Sequence, residues 1–338
     1  MKRSLQEQEY IARINRAMDF IQNNLDRPLQ LKEVAEAAHF SPFHFHRVFR
    51  GAVGETVGGY IQRLRVEKAA SLLITSPKIS ITAVALDCGF STSASFARVF
   101  RSHYGMSAGQ WRSGGCRDYH AEKFGNSKIG QANRKNRIET DLDNGYFDTV
   151  QFEFGAESSD DQSNPDSQRR PLMATPIQTD VVVRNQPEMT VAYVRHIGPY
   201  KGDEKLFEGL YSKLMTWAGA RGLLAQPDLK CLQIYHDNPE ITDESNLRLD
   251  VCISVPEDTT VEGEIGKMTV PGGKFAAARF EITPDQYQQA WDYVFATWLP
   301  DSGYQPDDRP PYELCLNDPR EHPEHKHIVE ICIPVRPL

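Results

Sequence analysis

Two short basic segments carry arginines at matching positions: "SPFHFHRVFR" at 41–50 with Arg47 and Arg50, and "STSASFARVFR" at 91–101 with Arg98 and Arg101. A guanidinium is a rigid fork of donors that suits the edge of a guanine or a phosphate. Wound as a helix, the first segment gathers Phe45, Val48 and Phe49 on one face. Phe43, His44, His46, Arg47 and Arg50 are left elsewhere. The second segment repeats the partition, with Phe96, Val99 and Phe100 inward and Ser93, Ala94, Ser95, Arg98 and Arg101 outward. One such helix is an ordinary solvated face. Two copies with the same buried and exposed positions read as a duplicated probe for a polyanion.

A second chemical signal is a lone carboxylate, Glu313, on the strand-like "PYELCL" at 311–316. A buried charge without a partner is costly, so an acid on such a strand implies something to pair with it. Other chemistry is not indicated. The six cysteines are scattered with no CxxC pair, which argues against a disulfide framework or a zinc site and for a reducing, cytoplasmic setting. His322, His325 and His327 sit in a polar loop that reads as solvated rather than as a metal site. No nucleophile–base triad or phosphate loop is present, so catalytic residues, metals and cofactors are all expected to be none.

The elements that must hold these residues follow from periodicity. "EQEYIARINRAMDFIQNNL" has helical spacing, and "LKEVAEAAHF" is a short amphipathic helix. Ser41 can cap the next helix, with Pro42 in its first turn. "TVGGYIQRLRVEKAASLLITS" is longer, and "ITAVALDCGF" plus "STSASFARVFRSHYG" repeat the pattern of short helix, turn, short helix. The connecting helix, roughly 18 residues or ~27 Å at 1.5 Å per residue, is close to the ~34 Å between successive major-groove faces of a duplex.

Residues 113–176 are rich in Ser, Asn, Asp, Gly and charge, as linkers are, with one strand-like run, "YFDTVQFEF". Beyond them the pattern is α+β and repeats. "TVAYVRHIGPY", the helix "DEKLFEGLYSKLMTWAGARG", "KCLQIYHD" and "LRLDVCISVP" form one unit. "KFAAARFEITP", the helix "PDQYQQAWDYVFATWL", "YELCLNDP" and "HIVEICIPV" form another. "LRLDVCISV" matches "HIVEICIPV" eighty residues on. The expected fold is therefore multidomain: an all-α double helix-turn-helix domain at 1–112, a polar linker at 113–176, and an α+β domain of two β-α-β-β repeats at 177–338.

Residues 31–112 closely resemble the AraC family of bacterial transcription regulators, through "LKEVAEAAHFSPFHFHRVFR" and "ITAVALDCGFSTSASFARVFRSHYGMSAGQWR". The resemblance implies base-reading positions at Phe43, His46 and Arg47 on one helix and at Ser93, Ala94, Ser95 and Arg98 on the other. The chain departs from the family at Val57 and Ala108, where proline is usual. Ala94 has no side-chain hydrogen bond to offer, only contact with a thymine methyl.

Residues 177–335 resemble the GyrI-like effector-binding domain, through "VAYVRHIGPYKG", "LMTWAGARGL", "YELCLNDP" and "EICIPV". That resemblance implies a pocket between the two repeats, lined by aromatics, with Glu313 as its acid. Tyr193, Trp217, Tyr235 and Trp298 are the rings expected to cage a cation beside it. Together the two resemblances imply a ligand-responsive regulator. Its partners would be double-stranded promoter DNA, a small cationic or drug-like effector, and RNA polymerase. The alternatives are a GyrI-like small-molecule hydrolase, or an interaction protein of the topoisomerase-inhibitor kind, fused to a DNA-binding domain.

Charge agrees with this division. The net −8 splits into +6 over 1–112, −3 over 113–176 and −11 over 177–338, so only the first third suits a polyanion. No apolar run is long enough to span a bilayer, so no membrane partner is expected.

Overall fold

The computed structural model describes residues 5–116, 119 and 179–338. The strand-like run at 146–154 and most of the expected linker lie outside the described residues.

The helical domain is built as two cores sharing one helix. The first core joins α1 (Leu5–Gln22), α2 (Leu31–Ala37), α3 (Pro42–Val53) and the start of α4 (Val57–Thr75). It buries Ile14, Met18 and Ile21 of α1, Phe45 and Phe49 of α3, and Tyr60 and Leu64 of α4. The second core joins the rest of α4 to α5 (Ile81–Asp87) and α6 (Ser93–Tyr104). There Val66, Ala70 and Leu73 meet Val84, Phe96 and Phe100. Trp111 closes this core and donates from Nε1 to the Ala70 carbonyl at 3.1 Å. Since α4 contributes to both cores along its 19 residues, about 28 Å of helix, the two units form a stiff pair.

Local chemistry sets the turns. His39 and Gly89 occupy the same place in the two repeats, and both have positive φ, 53° and 77°. A Cβ at Gly89 would lie 2.1 Å from the Leu25 carbonyl oxygen, so only glycine fits there. Pro42 opens α3 as expected, but the Ser41 hydroxyl makes no capping bond. At Val57 and Ala108 the helix starts are secured without proline, because the Thr56 and Ser107 hydroxyls accept from the N–H groups of Gly59 and Gln110.

The second domain is a nine-stranded sheet in which every pairing is antiparallel. One β-α-β-β unit is β2 (Met189–Ile197), α7 (Glu204–Gly219), β3 (Cys231–Tyr235) and β4 (Arg248–Ser254). The other is β6 (Gly273–Ile282), the helix α8 (Tyr287–Asp292) with a π-helical turn at 293–298, β8 (Tyr312–Cys315) and β9 (His327–Pro337). The central order β6-β9-β8-β3-β4-β2 is symmetric about the β8–β3 seam. Three strands go beyond the six expected: β1 (Val181–Gln186) and β5 (Gly266–Val270) flank the edges, and β7 (Tyr304–Pro306) pairs with β9.

Strand alternation gives the sheet two faces. Ala192, Leu249 and Val251 pack beneath α7, with Leu210 and Leu214 of that helix. Val191, Tyr193, Leu232 and Tyr312 point to the other side. On that side Tyr193 donates to the Asp19 carboxylate of α1 at 2.5 Å, which joins the two domains.

Candidate functional site

The two expected reader helices expose most of the described side chains that the sequence assigned outward. On α3, Phe45 and Phe49 are fully buried, whereas His46, Arg47 and Arg50 are exposed. Phe43 and His44 lie in its first turn, and their side chains are outside the described residues. On α6, Phe96 and Phe100 are buried, Ser93, Ala94, Arg98 and Arg101 are exposed, and Ser95 is half-buried. Thr92 caps this helix through the Ser95 N–H at 3.0 Å. Both helices end in a left-handed glycine, Gly54 and Gly105. The repeat seen in sequence is thus a repeat in conformation, with arginines in equivalent settings.

Glu313 occupies the middle of the other site. It lies on β8, directly opposite Gln233 of β3 at the seam of the two units, and is 1% exposed. Trp291 donates from Nε1 to its Oε1 at 2.5 Å, and the Tyr235 hydroxyl lies 2.8 Å from its Oε2. Burial, partly offset by these bonds from Trp291 and Tyr235, pushes the carboxyl up to about 7. The hydrogen bonding agrees. The Tyr235 hydroxyl is also 2.9 Å from Gln233 Oε1 and has one hydrogen for two acceptors. A protonated Glu313 resolves this by donating to the phenol oxygen while the phenol donates to Gln233.

A cavity of 1710 Å³ opens at Glu313, and its rings include Tyr200, Phe207, Tyr211, Tyr287, Trp291 and Phe295. Of the expected cage, Glu313 and Tyr235 are brought together there; Tyr193, Trp217 and Trp298 are not among the lining residues. Tyr193 lies on the opposite face of the sheet, its ring covering Gly266, where a Cβ would meet it at 2.1 Å. Trp217 fills the core under α7, with the Arg221 guanidinium 4.9 Å from its ring. Trp298, the last residue of the π-helical turn, packs on the core of β6 and β9. The ring that sequence reasoning passed over is Trp291. Tyr287, Trp291 and Phe295 stand four residues apart and face the cavity together, a signal available in the sequence.

A buried polar network lies between the domains. Arg195 of β2 reaches Asp19 of α1 at 2.8 Å and grips Asp250 of β4 with two bonds of 2.7 and 2.6 Å. His236 contacts the same Asp250 at 2.7 Å. Burial alone would raise the Asp250 carboxyl, but Arg195 and then His236 overcome it and hold it well below the usual range. Alongside, Arg248 binds Asp237 and also donates to Gln22 and to the Tyr60 hydroxyl, at 3.0 and 3.1 Å.

A paired set of exposed basic helices on one domain and an acid-floored aromatic cavity on the other define a two-domain regulator: a DNA reader joined to a small-molecule receptor. Comparison with known proteins agrees. Residues 34–114 match a helix-turn-helix domain model, and residues 179–336 match the GyrI-like small molecule binding domain. A DNA gyrase inhibitor from Yersinia enterocolitica is 31% identical over 148 residues, 41% of this chain and 87% of that protein. Among solved structures, the C-terminal domain of EcmrR is 22% identical, covering 48% of this chain and 100% of that one with a TM-score of 0.38. The DNA-binding domain of AdpA, solved with a target DNA, is 26% identical, covering 32% and 95% with a TM-score of 0.29. The chain belongs to the GyrI-like family and carries an AraC-type DNA-binding domain; it is a DNA-binding transcription regulator with a small-molecule-binding domain. Among the described residues, no helix is long and apolar enough to cross a membrane.

Proposed function

We propose that this regulator places α3 and α6 in successive major grooves of one promoter duplex, and that a small cationic effector seated on Glu313 changes that engagement. The observation that carries the reading is the matched exposure of Arg47 with Arg98 and of Arg50 with Arg101 on helices braced by one shared α4. His46, Ser93, Ala94 and Ser95 complete the base-reading set, with Phe43 and His44 at the start of α3. Glu313, Tyr235 and Trp291 receive the effector's charge. Residues 1–112 act as the reader, 113–176 as linker and 177–338 as receptor, with RNA polymerase as the partner once promoter DNA is bound. The protein works by binding and not by turnover. A genome-wide binding map with and without lipophilic cations tests this: occupied sites should share one motif with two half-sites about a helical turn apart, and occupancy should respond to the cation. Dispersed binding without a motif would overturn the reading.

A second reading has one observation in its favour. A carboxyl raised to about 7 suits a general base, so Glu313 would activate water against a small electrophile. Product formation abolished by Glu313→Gln would establish it, and saturable binding without product would dismiss it. The gyrase-inhibitor function named for the relatives belongs to proteins matched over the receptor half alone, so the reader helices favour regulation here.

A further inference from the structure

The cavity at Glu313 extends beyond the receptor domain. Its wall includes Leu64, Glu67, Lys68, Ser71, Leu72 and Thr75, which recur at helical spacing as one face of α4. Small-molecule pockets are usually about 300–1,000 Å³, so 1710 Å³ is more than a compact ligand fills. Besides the bond from Arg248 to Gln22, two further contacts tie the domains together around this space. Lys68 of α4 pairs with Asp308 of the receptor at 3.0 Å, and both line the cavity. The β3–β4 connection, which starts beside Tyr235, sends Ile241 into the core of the second helix-turn-helix unit, where it is 2% exposed.

We propose that the effector site is shared between the two domains, with this face of α4 as part of its wall, and that its natural occupant is an elongated amphiphilic cation. The inference rests on the reading of Glu313 as the cation seat. The charged head sits at Glu313 among Tyr235 and Trp291. The apolar body extends past Phe207 and Phe295 toward Leu64 and Leu72. Such an occupant touches the helix that spaces α3 from α6. Its binding energy therefore depends on where α4 sits, which is the differential affinity that any ligand-driven change requires. No relay of side chains is needed.

Two quinolinium probes with the same head separate this inference from the reading beneath it. N-methylquinolinium carries the head alone; N-decylquinolinium adds an apolar tail, and one version carries a diazirine at the tail end. Irradiating the full chain with the diazirine probe should label peptides from 57–76. Unmodified N-decylquinolinium should compete, and Glu313→Gln should abolish the labelling. Calorimetry should find the decyl probe at least tenfold tighter than the methyl probe. Ser71→Trp, which adds bulk to the α4 wall, should remove that advantage and leave the methyl probe within twofold. The labelling does not use the Trp variant, so a folding defect in that variant does not decide the result. Labelling confined to 179–338, or labelling of 57–76 that persists in Glu313→Gln, overturns the shared site while head binding at Glu313 stands. If neither probe binds the unaltered protein, the cation seat itself falls, and the shared site with it.

Discussion

Gln233 and Glu313 face each other across the β3–β8 seam, and they are also the same position of the two repeated units, eighty residues apart. The pseudo-twofold axis of the sheet therefore runs between an amide and an acid of nearly identical shape. Symmetry brings the two side chains together, and the single change of amide to carboxyl puts a buried ionisable group at the seam. Glu313→Gln restores chemical symmetry at that point, which makes it the cleanest probe of the site.

Cation binding should follow the ionisation of Glu313. With its carboxyl raised to about 7, the group is neutral below that value, and an arriving cation must displace a proton. Affinity should be level above pH 8 and fall about tenfold per pH unit below pH 6. Calorimetry from pH 5 to 9 checks this, and the Glu313→Gln protein should bind weakly with no pH dependence.

The same group sets a stability trend. Its folded value, about 7, lies above its ordinary 4.5. Between those values the folded state holds more protons than the unfolded chain, so stability declines as pH rises through the window. The unaltered protein should lose ~3 kcal/mol relative to Glu313→Gln from pH 4 to pH 8, measured by denaturant unfolding at each pH.

Tyr235→Phe removes the phenol that donates to the ionised Glu313 carboxylate and, once Glu313 is protonated, to Gln233 Oε1. The pH midpoint for cation binding should move upward, and stability should drop by about 1–2 kcal/mol. An unchanged midpoint would show that Tyr235 does not tune the acid.

Arg47→Ala and Arg98→Ala should each weaken a specific operator by ~1–3 kcal/mol and relax specificity at one base position of different half-sites. Gel-shift titration over operator variants reads this. If neither substitution changes affinity, the reader assignment of α3 and α6 is wrong.

Removing Arg195 leaves fully buried Asp250 with His236 alone, and Arg195→Ala should cost about 3–5 kcal/mol. Asp19→Ala is milder, because Arg195 keeps its two bonds to Asp250. It should instead separate the melting of the two domains, visible by calorimetry as a split transition.

Much of this is legible in the sequence. The Phe45/Phe49 and Phe96/Phe100 spacings identified the inward faces of α3 and α6 by arithmetic alone. Glu313 stood out because an acid within an apolar strand needs a reason. The cage was only half readable, because a lone aromatic does not reveal which face of its sheet it joins. Tyr193 points away from Glu313, and no residue near it in sequence says so. The edge strands β1 and β5 were missed because short runs such as "VVVRNQ" and "GKMTV" alternate weakly. The contact of Asp19 with Arg195 joins residues 176 apart, and no local pattern encodes it.

The placement of Ile241 has a consequence for engineering. A side chain from the receptor completes the oily interior of the reader, so the halves are cut from one piece more than they are bolted together. Grafting this receptor onto another reader, or the reverse, would leave a hole where that side chain belonged and strand the arginines that now meet across the join. Functional hybrids should arise only when the β3–β4 connection and the α4 surface are exchanged as a set.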